Sequence, residues 1–188
     1  MALPKMTIVT PSFNQGEYLE ETIRSVLDQG YPDLEYFVVD GGSTDGSVDV
    51  IRRYADRIDW WVSEPDAGQT AAINKGFARA SGEIVAWLNS DDTYLPGALE
   101  TVARLFERHR PGMVHGAVRL FGEGREPGEG PPREASRGRF LAGAVIQPSS
   151  FFSRNVFDEQ GLLDASLHFT MDYEIHVRIL LGWPVVWT

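Results

Sequence analysis

Leu34-Glu35-Tyr36-Phe37-Val38-Val39-Asp40, followed at once by Gly41-Gly42-Ser43-Thr44-Asp45, is the stretch on which the fold turns. Aromatic and β-branched residues suit a pleated, covered surface. The apolar run from Tyr36 to Val39 predicts a strand in a sheet covered on both faces. An acid and two glycines then predict a turn, with a helix N-cap among the Ser-Thr-Asp that follows. The next helix carries Val48, Ile51 and Ala55 on one face.

The same alternation extends in both directions. Upstream, Met6 to Pro11 reads as a buried strand, and Gln15 to Gln29 as a helix with Leu19, Ile23, Val26 and Leu27 on one face. Downstream come a strand at Ile58 to Ser63, a helix from Gln69 to Ala80 closed by Ser81-Gly82, a strand at Ile84 to Leu88 and a helix from Pro96 to Arg110. Strands alternating with helices predict an α/β fold: a mostly parallel sheet with helices on both faces. Beyond that the pattern loosens. Met113 to Phe121 and Val145 to Ser153 read as strands, Asn155 to Gln160 and Met171 to Leu181 as helices. Between them, Gly122 to Arg139 is rich in Gly, Pro, Glu and Arg and reads as a mobile surface loop. The chain stops in Val185-Val186-Trp187, an apparent strand, which predicts a fragment of a longer protein. No internal repeat is present.

The 188 residues suit a single domain. With 17 Lys plus Arg against 27 Asp plus Glu, the net charge is −10, and no basic run offsets it. A nucleic-acid groove or a site for an anionic membrane surface is therefore not expected. If such a chain handles phosphates, it must bring in positive charge locally, from a metal, a Lys or a helix N-terminus. With no cysteine, disulfides, thiolate nucleophiles and zinc–thiolate sites are excluded. The N-terminus lacks the regions of a signal peptide, and no apolar run approaches the ~20 residues of a spanning helix. The expectation is a cytoplasmic protein.

In a sheet of this kind ligands bind beyond the carboxyl ends of the strands. That rule selects Thr10 to Asn14, Asp40 to Asp45, Ser63 to Gln69 and Asn89 to Asp92, and polar residues concentrate at all four. Asp91 and Asp92 repel each other unless a hard cation and ligand phosphates neutralise them, although the same acids could cap the helix that follows. Asp40 could accept from a ribose or base, and a plain turn aspartate would look the same. Asp66-Ala67-Gly68-Gln69 precedes a helix whose N-terminus could face a phosphate. Lys75, on that helix, could equally be a solvated surface residue. Asp172 opens a late helix, where the dipole alone also favours an acid. The histidines at 109, 115, 168 and 176 show no metal-ligand spacing and read as structural. Trp60, Trp61 and Trp87 sit in strand patterns and read as core. Neither a dinucleotide fingerprint nor a Walker A pattern occurs.

In this order, Ile8-Val9-Thr10-Pro11-Ser12-Phe13-Asn14, Val38 to Asp45, Ser63 to Gln69 through Ala72-Ile73-Asn74-Lys75-Gly76, Gly82-Glu83 to Asp92, Gln147 to Phe152 and Met171-Asp172-Tyr173-Glu174 resemble glycosyltransferase family 2. The resemblance covers nearly the whole chain except Gly122 to Arg139. It implies a GT-A fold, a Rossmann-like three-layer sandwich with a mostly parallel mixed sheet. It also implies an inverting transferase using a nucleoside-diphosphate sugar, with Mn2+ or Mg2+. By position, Thr10, Pro11 and Asp40 would hold base and ribose, with Asp66 and the Gln69 to Lys75 turn closing the pocket. Ser12, Asn14, Gly42, Gly68 and Ser90 lie in the same nucleotide-binding motifs. Asp91 would hold the metal, with Asp92 beside it, and Asp172 would be the general base. Asn89 stands where many members carry the first acid of an Asp-x-Asp element, and Met171 where a Glu usually precedes the base. Both variants look like those of a bacterial surface-polysaccharide subgroup.

The resemblance further implies one domain over 1–188, with a donor half (1–110) and an acceptor half (111–188). It implies a glycan or lipid-linked acceptor, met in the cytoplasm or at the inner membrane face, and it leaves a homo-oligomer open. A sugar nucleotidyltransferase is the first rival, but Pro11-Ser12-Phe13-Asn14 lacks the Gly-rich basic loop it needs. A non-catalytic nucleotide-sugar binder, or a truncated inactive domain, is the second.

Overall fold

The computed structural model describes residues 3–119, 138, 146–167 and 169–188. Seven strands form one sheet: β1 (Met6–Ser12), β2 (Leu34–Asp40), β3 (Trp60–Ser63), β4 (Ile84–Trp87), β5 (Met113–His115), β6 (Ser150–Ser153) and β7 (Val185–Trp187). Their order across the sheet is β3-β2-β1-β4-β6-β5-β7. The β1–β2, β1–β4, β2–β3 and β5–β7 pairs are parallel. β6 runs antiparallel to both of its neighbours, β4 and β5. This is the mostly parallel mixed sheet expected, and among the described residues six α-helices cover it.

Alternation along the strands sends side chains to two cores. Met6, Ile8, Tyr36, Val38, Ile84 and Ala86 face one side, where they meet α1 (Gly16–Leu27), α2 (Ser47–Arg53) and α4 (Ala98–His109). Val9, Phe37, Val39, Val85 and Trp87 face the other, against α3 (Gln69–Phe77), α5 (Arg154–Gln160) and α6 (Met171–Gly182). The strand period of two thus builds a three-layer α/β/α sandwich. Trp87 stacks flat on Phe152, with ring centroids 5.5 Å apart, so it belongs to the core as expected. Trp60 and Trp61 are half-buried on β3.

Some boundaries differ from the sequence reading. Among the described residues the strand expected from Met113 ends at His115. The one expected from Val145 begins only at Ser150, because Gln147-Pro148-Ser149 forms a 3₁₀ turn. Proline has no N–H to give to a ladder, which explains the late start. The helix expected from Pro96 begins at Ala98 behind Gly97, whose φ of +80° needs a glycine, so neither Asp91 nor Asp92 caps it. The stretch 122–139 lies, apart from Gly138, outside the described residues.

α3 lies close on β1 because Gly76 has no side chain: a Cβ there would stand 2.6 Å and 2.7 Å from the two methyls of Val9. Gly76→Ala is therefore expected to destabilise the fold by roughly 1–3 kcal/mol, the cost of overpacking a filled core. Urea unfolding checks this, and a midpoint unchanged from the native chain would mean that α3 can retreat without loss.

Candidate active site

The strand order places β1 beside β2 on one side and β4 on the other, so the connections leave in opposite directions there. That switch point opens a crevice at the carboxyl edge. A cleft of about 790 Å³ fills it. Pro11, Ser12 and Phe13 from the end of β1 and Gly41 and Gly42 from the end of β2 form one wall. Pro65 and Asp66 with Gly68 and Gln69 at the start of α3 form another, and Asn89, Ser90 and Asp91 after β4 close the third. All four loops selected from the sequence contribute to it.

Glycine makes the β2 wall possible. A side chain at Gly41 would press on the Phe13 ring at 3.3 Å and on both Asp66 carboxylate oxygens at 3.4 Å. Gly42 adopts φ +85° and passes close to the Pro65 nitrogen. Asp66 accepts from the Gly68 N–H at 2.8 Å, an Asx turn that leads the chain into α3. Phe13 is 62% exposed, a large apolar ring standing free at the mouth. The sequence reading passed over it, although an aromatic residue directly after a strand's polar end was a visible signal.

Asp40 closes β2 and leads into the Gly41-Gly42 wall. It is fully buried, and its carboxylate is consumed by its own turn. Gly42 N–H (3.1 Å), Ser43 N–H (2.9 Å) and the Ser63 hydroxyl (2.6 Å) donate to one oxygen, and the Ser43 hydroxyl (2.5 Å) to the other. It does not line the cleft; it holds the turn that does. Thr10 is likewise buried, bonded to the Tyr36 hydroxyl at 3.0 Å. Asn14 (φ +52°) accepts from Thr44 N–H at 2.9 Å and ties two loops together. Lys75 pairs with Glu64 at 2.7 Å and lies outside the cleft lining. Asp45 accepts from the N–H of Gly16 (2.8 Å) and of Ser47 (3.0 Å), near the first residues of α1 and α2. With the Ser47 hydroxyl as the strongest donor, these bonds hold its carboxyl below the usual range.

The two adjacent acids after β4 part company. Asp91 is exposed and lines the cleft. Asp92 lines a different cavity of about 370 Å³, bounded by the start of α4 and the residues around β5 and β6. Burial, and secondly the charge of Asp91, push the Asp92 carboxyl up to about 6. Asn89 donates to Asp92 at 3.2 Å and to the Gln147 side-chain oxygen Oε1 at 3.2 Å, and it accepts from Gln69 at 2.7 Å. Gln147 in turn donates to the Trp87 carbonyl at 2.9 Å. The amide of Asn89 thus makes three links, two of which a carboxylate could not donate. α1 clamps the loop from behind: the Thr22 hydroxyl lies within hydrogen-bond distance of the carbonyls of Ser90 (2.9 Å) and Asp92 (2.8 Å), and Ser25 accepts from Tyr94 N–H at 3.1 Å. Thr22 and Ser25 were not singled out in the sequence, since a polar residue on a helix face gives no hint of its distant partner, and Gln147 stood there only as the first residue of a family motif.

The cleft's charged lining among the described residues is acidic only, Asp66 and Asp91. A diphosphate there would draw on a cation or on the free N–H groups at the start of α3. Mg2+ or Mn2+ ordinarily takes one or two carboxylates and fills its shell with phosphate and water, and the single Asp91 fits that pattern. No group of three or more His, Cys, Asp or Glu side chains gathers among the described residues, so a cage built wholly from protein is not what the site offers.

Asp172, half-buried in the first turn of α6, does not line the cleft but lies at the same edge of the sheet. Its carboxylate accepts from Tyr173 N–H at 2.7 Å. Its backbone oxygen accepts from His176, whose other nitrogen meets the Ser150 hydroxyl at 2.7 Å. Ser150 is the first residue of β6, and because β6 is antiparallel, its start shares an edge with the ends of the parallel strands. Arg178 is engaged by Glu174 at 2.5 Å and by carbonyls near residue 161, leaving Asp172 out of any pair with it.

Residues 7–174 match the family model of glycosyl transferase family 2, and the chain belongs to that family. It is 41% identical to the Bacillus subtilis glycosyltransferase TuaG over 100 residues, 52% of this chain and 40% of that protein. It is 34% identical over 117 residues to the Campylobacter jejuni GalNAc(5)-diNAcBac-PP-undecaprenol beta-1,3-glucosyltransferase, 60% of this chain and 37% of that one. The chain therefore spans about two-fifths of these curated relatives. Among solved structures, S. aureus TarS in complex with UDP-GlcNAc superposes with a TM-score of 0.82 at 18% identity, covering 98% of this chain and 56% of that one. The mannosyltransferase PcManGT from Pyrobaculum calidifontis, in complex with GDP-Man and Mn2+, superposes with a TM-score of 0.77 at 21% identity, covering 99% and 55%. The fold is GT-A.

The raised carboxyl of Asp92 has a thermodynamic consequence. The folded chain keeps this proton up to about pH 6, whereas the unfolded chain releases it near 3.8. The stabilising contribution is therefore complete below the lower value and is lost as pH rises through about 6. In metal-free buffer, Asp92→Asn is expected to flatten the fall in stability between about pH 4 and about pH 6. Urea midpoints at several pH values check this; a variant with the native pH profile would mean that Asp92 is charged in the folded state.

Proposed function

We propose that the chain is the catalytic domain of a metal-dependent, inverting glycosyltransferase, moving a sugar from a nucleoside-diphosphate donor to an acceptor hydroxyl. The observation that carries this is the convergence of Phe13, Asp66, the start of α3 and Asp91 on one cleft. A base packs on the exposed Phe13 ring, with the Asp66 carboxylate beside it as an acceptor for a base N–H. Uracil and guanine offer such an N–H, in keeping with the UDP and GDP sugars bound by TarS and PcManGT. The diphosphate lies toward the α3 N-terminus, whose free N–H groups favour negative charge. Asp91 holds the divalent cation, which when bound offsets the charge of the leaving diphosphate.

Asp172 takes the proton from the acceptor hydroxyl. The acceptor oxygen bonds to the anomeric carbon while the bond from that carbon to the diphosphate oxygen breaks, and the electron pair leaves on the nucleoside diphosphate. One displacement with no enzyme nucleophile inverts the configuration. In this reading residues 1–110 bind the donor and 111–188 serve the acceptor. The acceptor is a glycan or lipid-linked saccharide, the class named for the Campylobacter relative. A lipid-linked acceptor would bring the domain to the inner membrane face; no helix among the described residues is long and apolar enough to cross a membrane.

Release of UDP from UDP-GlcNAc, or GDP from GDP-mannose, with and without Mn2+, tests the activity directly. Asp91→Ala is expected to abolish the Mn2+-dependent part of UDP or GDP binding in calorimetry while the fold persists; unchanged metal dependence would remove Asp91 from the site. Asp172→Asn is expected to bind donor normally and to slow turnover by roughly 10²–10⁴, the usual worth of general-base catalysis. Normal turnover, with only the roughly 0.3–1 kcal/mol stability loss of a helix-start acid, would show Asp172 to be no base.

A further inference from the structure

Three buried polar side chains stand behind the acceptor half of the edge. His115 ends β5, Ser150 opens β6 and His176 lies one turn into α6; all three are buried, with His176 and Ser150 wholly so. The Ser150 hydroxyl lies 2.9 Å from His115 Nδ1 and 2.7 Å from His176 Nε2, and His176 Nδ1 faces the Asp172 carbonyl oxygen.

The protons in this chain can be placed one by one. A carbonyl oxygen only accepts, so His176 Nδ1 carries the hydrogen. Burial holds the His176 ring neutral, its protonation pushed down to about 4, so Nε2 is bare and accepts from Ser150. A hydroxyl has one proton, so Ser150, having donated it, accepts from His115 Nδ1–H. Burial, and secondly His176, lower the protonation of His115 to about 4 as well. Donation therefore runs one way, from His115 through Ser150 and His176 to the Asp172 carbonyl. It links β5, β6 and the first turn of α6.

We infer that His115, Ser150 and His176 are positioning residues, which fix the first turn of α6 against the sheet and so hold the Asp172 carboxylate in register with the cleft. The inference rests on the reading of Asp172 as the base. A helix start is the part of a helix that frays most readily, and this one has no side-chain cap at Thr170. The relay supplies a tether from the sheet in place of a cap. The Ser150 hydroxyl is bonded to a histidine on either side, so a non-donating side chain at position 150 would break the relay at its middle.

The test uses the full chain, with UDP-GlcNAc and GDP-mannose as donors and Mn2+ present. Imidazole nitrogen NMR at neutral pH is expected to show both rings as the Nδ1–H tautomer, the minor form of a free histidine in water. An Nε2–H ring at either position would overturn the inference. Ser150→Ala is expected to lower kcat roughly 10–100-fold, the scale of a small misplacement of a reacting group, with the donor KM unchanged. Ser150→Thr, which keeps the hydroxyl, is expected to restore it. In the Asp172→Asn background, Ser150→Ala is expected to cost nothing further, because its effect acts through that carboxylate; an additive loss would overturn the positioning role and leave the base standing. Full turnover by Asp172→Asn alone would instead remove the base, and the inference with it. If Ser150→Ala does not fold, His176→Asn keeps an N–H toward the Asp172 carbonyl while giving up the Ser150 bond, and is expected to retain more turnover than His176→Leu; equal loss in both would count against the relay.

Discussion

β1 is the constraint on which the rest depends. It lies between β2, to which it is bonded along its whole length, and β4, to which it is bonded from Met6 to Val9, and both its faces are buried. A strand so placed cannot shift register by one residue without exchanging the two cores, so the positions of Pro11, Ser12 and Phe13 at its end are set by packing far below them. The switch point exists because chain connections leave β1 and β4 in opposite directions. The cleft is a consequence of sheet topology, furnished with side chains afterwards.

Much of the polar chemistry at that edge serves the protein itself. Asp40 and Asp45 spend their carboxylates on backbone N–H groups and hydroxyls of their own loops and of the adjoining Ser63 and Gly16. Turns of this kind carry unpaired backbone donors, and a buried carboxylate that accepts several of them fixes a loop that would otherwise sample many shapes. Asp66, Asp91 and the exposed Phe13 ring, by contrast, are turned to the cleft. The separation of Asp91 from Asp92 follows the same logic. Asn89 can donate where an aspartate could not, and its amide links the α3 start, Asp92 and Gln147 into one frame between the donor cleft and the second cavity.

The electrostatics of the cleft support the proposed donor. In a chain of net charge −10, the charged side chains lining the cleft among the described residues are Asp66 and Asp91, so a diphosphate accompanied by a cation would suit it better than a bare one. A single exposed carboxylate suits a cation that also expects phosphate oxygens in its shell. Donor and metal would then enter as partners, each improving the site for the other.

The sequence by itself determined the layering. Leu34 to Asp40 was legible to the residue, and the strand–helix rhythm up to residue 110 was recovered with errors of a few residues, because burial on both faces writes itself into local composition. It also picked out the four loops that meet at the cleft. Tertiary structure alone decided which way each polar side chain points. An aspartate after a strand reads the same whether it turns inward, as Asp40 does, or outward, as Asp91 does. Two neighbouring acids read as a pair although they line different cavities. The links from Thr22 to Ser90, from Gln147 to Asn89 and from His176 to Ser150 join residues 26 to 68 positions apart. A hydrogen bond needs only a donor and an acceptor brought within about 3 Å, and that proximity is created by packing, which no local pattern of residues records.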